Sequence, residues 1–129
     1  MQAGNLLIIG LGGFAGAVAR YLTSSFVQTA SGSVFFPYGT MSVNMIGCFW
    51  IGFFAFLAES RGILSADVRM FVLVGFLGSF TTFSTFSFET MNLLRDARFL
   101  AAGLNVSCQL FGGLFGVWLG RVCALMLWR

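Results

Sequence analysis

The residues best suited to chemistry in this chain form one string, GSFTTFSTFSFE, at positions 78–89. It interleaves serine and threonine hydroxyls with phenylalanine rings and ends on a carboxylate, Glu89. Hydrocarbon does not solvate hydroxyls or carboxylates, so within a membrane span such groups face protein or a water-filled path. Phenylalanine ring edges are positively polarised and hydroxyls donate hydrogen bonds, so both suit a small anion. The string predicts a functional site, provided that it lies within a membrane.

The composition indicates that it does. Of the 129 residues, 58% are hydrophobic and 9% are charged, and the mean hydropathy is +0.93. Soluble domains carry about 25% charged residues. The alternative, a soluble helix bundle, is disfavoured because no segment has a charged face to turn toward water. The length fits a single domain, 1–129.

Charges and turn signals divide the chain into four apolar segments, each near the ~20 residues that a membrane-spanning helix needs. The predicted spans are 5–26, 38–58, 70–94 and 99–127, joined by a polar turn at 28–33, a charged link at 59–69 and a turn at 95–98. No segment alternates with period two as a barrel strand would. We therefore expect an all-α membrane protein with four transmembrane helices.

The third predicted helix has a weak point near its middle. Gly78-Ser79 and the paired threonines Thr81-Thr82 are poor helix formers, so we expect a break at 78–82. A break there would free backbone carbonyls, which are ligands for hard cations. Thr82, at the end of the break, shares one helical stripe with Thr85 and Glu89.

Glycines on the first and fourth helices predict close helix packing. Small residues four apart let membrane helices approach one another. In the first helix, one face holds Asn5, Gly12, Gly16 and Arg20; in the fourth, one face holds Asn105, Gln109, Gly112, Gly116 and Gly120. Packing without transport remains an alternative reading of these two faces. The GLGGFA string at 10–15 fits a dinucleotide fingerprint, but it lacks the strand and the acidic residue which that motif needs.

The charges give almost no orientation signal. All seven basic residues are arginines: Arg61, Arg69, Arg121 and Arg129 lie on the side of the termini, and Arg20, Arg95 and Arg98 lie toward the other side. Orientation normally follows the Lys/Arg excess in cytoplasmic loops. A chain without that excess could insert both ways and pair with an inverted copy, or a bias of one charge could still fix a single orientation. Snorkelling arginines explain the modest basicity without nucleic acid.

Enzyme chemistry has little support in the sequence. The chain has no histidine, which removes histidine-based relays, triads and the usual zinc sites. Its three cysteines, Cys48, Cys108 and Cys123, are odd in number, lie within the spans and read as small packing residues. We expect a protein that is not an enzyme.

Three motifs resemble a known family, the small bacterial fluoride channels called Fluc or CrcB. The string at 78–89 resembles its third-helix signature, and GTMSVN at 39–44 resembles its second-helix motif. Gly12-Gly13 with Arg20 resembles its first helix. The similarity extends over all four predicted spans.

The resemblance implies an antiparallel, dual-topology homodimer with two fluoride pores, in the bacterial cytoplasmic (inner) membrane. Implied pore residues are Phe83, Phe86, Asn44, Thr82, Ser84, Thr85, Glu89 and Arg20, with Asn105 and Gln109 supplying polarity on the fourth helix. Carbonyls of Gly78 and Thr81 from both subunits are implied to hold a structural sodium ion. The fourth helix departs from the pattern at Gly113, where some relatives have serine.

Two other classes share some of these features. A small multidrug exporter is also a four-helix, dual-topology dimer, but it needs a carboxylate on its first helix, and residues 5–26 contain none. A non-transporting membrane subunit would explain the glycine faces but leaves the hydroxyls of 78–89 unexplained. The passive channel is the reading that accounts for both.

Overall fold

The computed structural model describes residues 3–60 and 62–128, and four of its helices are long and apolar enough to cross a membrane. The elements are α1 Ala3–Ser31, α2 Tyr38–Ser60, α3 Ala66–Arg69, a π-helical segment Met70–Leu77, α4 Gly78–Phe80, α5 Phe83–Arg95 and α6 Phe99–Leu127. The third span, Ala66–Arg95, comprises α3 to α5. The expected four-helix membrane architecture is confirmed.

Glycines bring the helices together in two parallel pairs. A methyl group added at Gly52 of α2 would overlap the Val117 carbonyl of α6, and one at Gly120 would overlap the Phe49 carbonyl. In the other pair, a methyl group at Gly75 would lie 3.0 Å from the Cα of Gly12 in α1. The predicted close packing of the glycine faces on the first and fourth helices is confirmed: α1 packs on the third span, and α6 packs on α2.

The third span breaks, as expected, but over a shorter stretch than predicted. Thr81 (φ −84°, ψ 158°) and Thr82 (φ −151°, ψ 115°) are extended. Gly78, which we placed in the break, is helical (φ −61°, ψ −31°). Helical hydrogen bonding continues up to Thr81, whose N–H still donates to the Leu77 carbonyl at 3.1 Å. The β-branched threonines, which favour extended backbone, set the position of the break.

Several helix boundaries differ from the sequence prediction. The turn predicted at 28–33 begins only at Gly32 (φ 64°), because α1 continues through Ser31. The third span begins at Ala66, inside the predicted charged link, because the Ser65 hydroxyl accepts from the Val68 N–H and caps it. The second helix extends to Ser60, whereas the fourth has its predicted bounds, Phe99–Leu127.

Two of the described arginines, Arg121 and Arg98, lie near opposite ends of the molecule, each over an aromatic ring. Arg121 lies over the Phe56 ring near the end of α2, and Arg98 lies over the Phe35 ring in the loop between α1 and α2. Arg20 lies deeper than expected, well before the end of α1 at Ser31. Arg61 and Arg129, which also entered the charge comparison, fall outside the described residues.

Candidate functional site

Asn44 of α2 fastens the break in the third span. Its Oδ1 accepts a hydrogen bond from the Thr82 N–H at 2.8 Å, and its Nδ2 donates to the Thr82 carbonyl at 3.0 Å. Two backbone groups that a continuous helix would satisfy internally are thus satisfied by one side-chain amide. Asn44 is the reason that extended backbone is tolerated at this depth.

The same amide continues into a chain of polar side chains. Asn44 Nδ2 also donates to Gln109 Oε1 at 2.6 Å, and Gln109 Nε2 donates to Asn105 Oδ1 at 2.9 Å. Asn105 Nδ2 then donates to Thr90 Oγ1 at 2.9 Å, and that hydroxyl donates to the Phe86 carbonyl at 2.8 Å. Gln109 and Asn105 are buried. The chain ties α2, α5 and α6 together.

Phe83 and Phe86 border an open groove at the break. Their ring centroids are 5.5 Å apart at 54°, and 79% of the Phe83 residue is exposed. The groove has a volume of about 530 Å³ and is lined by these rings together with Asn44, Thr81, Thr82, Gln109 and apolar residues of α2 and α6. The two rings and the side-chain amides therefore line one hollow in the middle of the span.

A hydroxyl cluster caps α5. The Thr82 hydroxyl accepts from the Thr85 N–H at 3.2 Å and donates to Thr85 Oγ1 at 2.9 Å, with Ser84 Oγ at 3.4 Å. Thr82 and Thr85 also line a smaller cavity of about 210 Å³, whose walls include Arg20 and Thr40. The first-helix arginine is thereby placed beside the break.

Glu89 contacts Thr40, on the side of Thr40 away from the Arg20 cavity. The Thr40 hydroxyl donates to Glu89 Oε1 at 2.7 Å. Oε2 is buried and has no hydrogen-bond partner among the described residues. Both residues line a third cavity, of about 560 Å³, between α1, the loop after it, α2 and α5. Because a carboxylate oxygen is an acceptor only, Oε2 needs a donor such as a water molecule in this cavity.

The three cavities adjoin through shared walls. Thr82 lines both the groove and the Arg20 cavity, and Thr40 lines both the Arg20 cavity and the Glu89 cavity. Most of the site residues expected from sequence line one of these adjoining cavities, whereas Ser84, Asn105 and Gly78 line none of them. They do not converge on a single point, because Glu89 and the phenylalanine groove lie at opposite ends of this set of cavities.

Two residues of this site were missed by the sequence reasoning. Thr40 was part of a quoted motif, but only the structure shows that it holds Glu89. Thr90 was not considered, although it links Asn105 to the backbone of α5. Its position directly after Glu89, as a hydroxyl within an apolar span, was the available signal.

The carbonyls expected to bind a cation are released by the local bonding. In a continuous helix the Thr82 N–H would donate to the Gly78 carbonyl, but it donates to Asn44 instead. The Thr85 N–H would donate to the Thr81 carbonyl, but it donates to the Thr82 hydroxyl. Both carbonyls have thus lost their helical donors. Neutral backbone oxygens of this kind fit a hard monovalent cation.

Four apolar helices, one of them broken at a polar centre, define the class: a multi-pass helical membrane protein with a discontinuous third span. The chain belongs to the CrcB-like family. The family model described as "CrcB-like protein, Camphor Resistance (CrcB)" matches residues 7–121.

Relatives are similar over nearly their whole length. The chain is 48% identical to "Fluoride-specific ion channel FluC" of Opitutus terrae over 123 residues, which cover 94% of this chain and 92% of that protein. It is 45% identical to the protein of the same name in Chlorobaculum tepidum, with 97% of both chains covered. It is 41% identical to "Fluoride-specific ion channel FluC 1" of Methanosarcina acetivorans, covering 95% of this chain and 92% of that protein.

Proposed function

We propose that this protein is a passive, fluoride-selective channel that exports fluoride across the cytoplasmic membrane. The observation that carries the proposal is the groove in which Phe83 and Phe86 face Asn44 and Gln109 beside the break. The names of the relatives, all at 41–48% identity, support fluoride as the ion and a channel, not an enzyme, as the activity.

The proposed mechanism needs no energy source beyond the membrane potential. Hydrogen fluoride crosses lipid as a neutral acid and dissociates in a less acidic cytoplasm. The trapped anion then leaves through the channel, driven by the inside-negative potential. Selectivity against chloride comes from pore width and from closely spaced donors and ring edges.

The working unit in this proposal is an inverted pair of chains with two pores. The groove is open on one side in the single chain, and Phe83 is largely exposed at mid-span depth. A second copy covering this side would turn the open groove into a closed path. An antiparallel partner is favoured by the weak charge asymmetry of the arginines.

The deciding experiment measures anion efflux from liposomes that contain the purified protein, with fluoride and chloride compared under the same gradient. Rapid fluoride efflux with chloride retained supports the proposal. Equal efflux of both anions, or of neither, contradicts it.

The phenylalanine pair provides the first residue-level prediction. Phe83→Ile and Phe86→Ile each keep most of the apolar volume but remove the polarised ring edge. We expect each to slow fluoride efflux about tenfold, which corresponds to about 1.4 kcal/mol on the barrier. Phe88→Ile is the matched control: Phe88 lies on the same helix, is 67% exposed, and does not line the groove. Equal effects at Phe83 and Phe88 would show that the rings act only through lipid contact.

We also propose a structural sodium ion held by the Gly78 and Thr81 carbonyls of both subunits. Within its own chain Gly78 has room for a side chain: a Cβ there would meet its nearest atom, the Leu73 carbonyl oxygen, at 3.7 Å. Damage by Gly78→Ala would therefore arise outside the chain's own packing. We expect this variant to lose dimer stability in detergent and at least about tenfold in efflux.

Gly10→Ala is the control for that variant, because a Cβ at Gly10 has no neighbour within 4 Å either. Thr81→Val should matter less than Gly78→Ala, since it keeps the carbonyl. Dimer stability should depend on sodium when it is compared with a large organic cation. Unchanged dimers of Gly78→Ala, with no sodium dependence in the parent, would remove the ion from the proposal.

A further inference from the structure

The Glu89 cavity has one wall that belongs to no helix, the loop formed by residues 32–37. Gln28 of α1 holds this loop through two hydrogen bonds and ties it to α2 through a third. Its Nε2 donates to the Ser33 carbonyl at 2.6 Å and to the Phe36 carbonyl at 3.1 Å, and its Oε1 accepts from the Gly39 N–H at 2.9 Å. The loop is thereby a defined wall, and Phe35 in it lines the cavity.

Arg98 reaches this wall from the turn between α5 and α6. The turn is closed by two backbone bonds, Arg98 N–H to the Leu93 carbonyl at 2.8 Å and Ala97 N–H to the Leu94 carbonyl at 3.0 Å. With Ala97 at φ 57°, this is a Schellman termination of α5. It places the Arg98 guanidinium carbon 3.4 Å from the centroid of the Phe35 ring. The cation is therefore held against a ring that forms part of the cavity wall, although Arg98 does not itself line the cavity.

The charges of the cavity explain why a cation would be needed there. Two carboxylates, Glu89 and Asp96, line the walls, and both repel an approaching anion. Asp96 is offset by Arg95, whose Nε lies 3.9 Å from its Oδ1. Arg98 has no carboxylate within ion-pair distance among the described residues. Stacking on a ring leaves its charge intact.

We propose that Arg98, anchored on Phe35, is a positioning residue that raises the local concentration of small anions at the mouth of the Glu89 cavity. This inference rests on the proposed fluoride function. It adds the route by which the anion reaches the break: from the Glu89 cavity past Thr40, and then past Thr82 to the groove. Arg98 acts on the approach of the anion and does not bind it in the narrow path. Its effect is therefore on the rate of entry at low concentration.

The expected effect is small and depends on salt. A unit charge about 8 Å away in water changes the local anion concentration about twofold. The Debye length is about 30 Å at 0.01 M salt and about 3 Å at 1 M, so the effect should be lost at high ionic strength. A role in folding or in pore geometry would not respond to salt in this way.

The experiment measures initial fluoride efflux from liposomes at low sodium fluoride, with ionic strength set by the salt of a large organic anion. Arg98→Gln should reduce efflux about twofold at low ionic strength and not at high ionic strength, while Arg98→Lys should retain most of the parent rate. The double variant Arg95→Gln/Asp96→Asn is the matched control. It removes an arginine from the same turn together with the carboxylate paired with it, so the net charge beside the cavity is unchanged.

A deficit of Arg98→Gln that persists at high ionic strength overturns the inference, as does an equal deficit in the Arg95→Gln/Asp96→Asn double variant or no deficit at all. Fluoride efflux by the parent protein distinguishes failure of the Arg98 role from failure of the proposed channel function. If the parent conducts fluoride and Arg98→Gln matches it at every ionic strength, only the Arg98 role fails. If the parent conducts no fluoride, the proposed function fails with it.

Discussion

Replacing Asn44 with aspartate is expected to abolish fluoride efflux. The amide donates to the Thr82 carbonyl and to Gln109 Oε1, at 3.0 and 2.6 Å. A carboxylate at this position offers only acceptors, so two attractive contacts become repulsive. A fixed negative charge about 4 Å from a permeating anion also raises the barrier by about 4 kcal/mol at an effective dielectric of 20. Efflux should fall by about three orders of magnitude in the liposome assay.

Two further variants separate the effect of the added charge from the effect of the lost hydrogen bonds to Thr82. Asn44→Leu removes the hydrogen bonds without adding charge, and it should also lose efflux because the Thr82 N–H and carbonyl are left unpaired. Asn92→Asp makes the same change at a residue that lines the Glu89 cavity away from the break. It should cost no more than about twofold. Normal efflux from Asn44→Asp would place the anion path elsewhere in the molecule.

The architecture follows from the sequence because its signals are strong and local. Four apolar segments with few charges determine four spans, and glycines four apart determine which faces meet. The position of the break was harder to predict. Gly78 is a poor helix former, yet its backbone dihedral angles are helical, and the Thr81 N–H three residues later still donates to the Leu77 carbonyl. Local propensity located the weak region but did not select the two residues that open.

The partners of the site residues depend on contacts between distant segments. Asn44 is 38 residues from Thr82 and 65 from Gln109, and periodicity within one helix does not encode such pairings. The same holds for Thr40 and Glu89, which are 49 residues apart. The π-helical segment Met70–Leu77 had no signal either, because a uniformly apolar stretch shows no period to read.

The last prediction concerns the orientation of the chain in the membrane. Lysines appended after residue 129 should hold that end in the cytoplasm and force a single orientation. The opposite bias is obtained with Arg69→Gln and Arg121→Gln, which leave Arg95 and Arg98 at the other end. Because Arg20 lies well inside α1 and lines a cavity, it weighs less than an arginine near the end of a span, and the changes at Arg69 and Arg121 decide the balance.

If the pore requires an inverted partner, each biased version alone should be inactive in fluoride efflux, since every chain then faces the same way and the groove beside Phe83 meets no antiparallel copy. Co-expression of the two versions should restore efflux, because it supplies both orientations. A tail of serine and glycine of equal length is the control for the appended lysines and should leave activity intact. Full activity from one biased version, with its orientation verified by labelling a cysteine introduced into the loop at residues 32–37 from one side, would show that a single orientation suffices and that the working unit is not antiparallel.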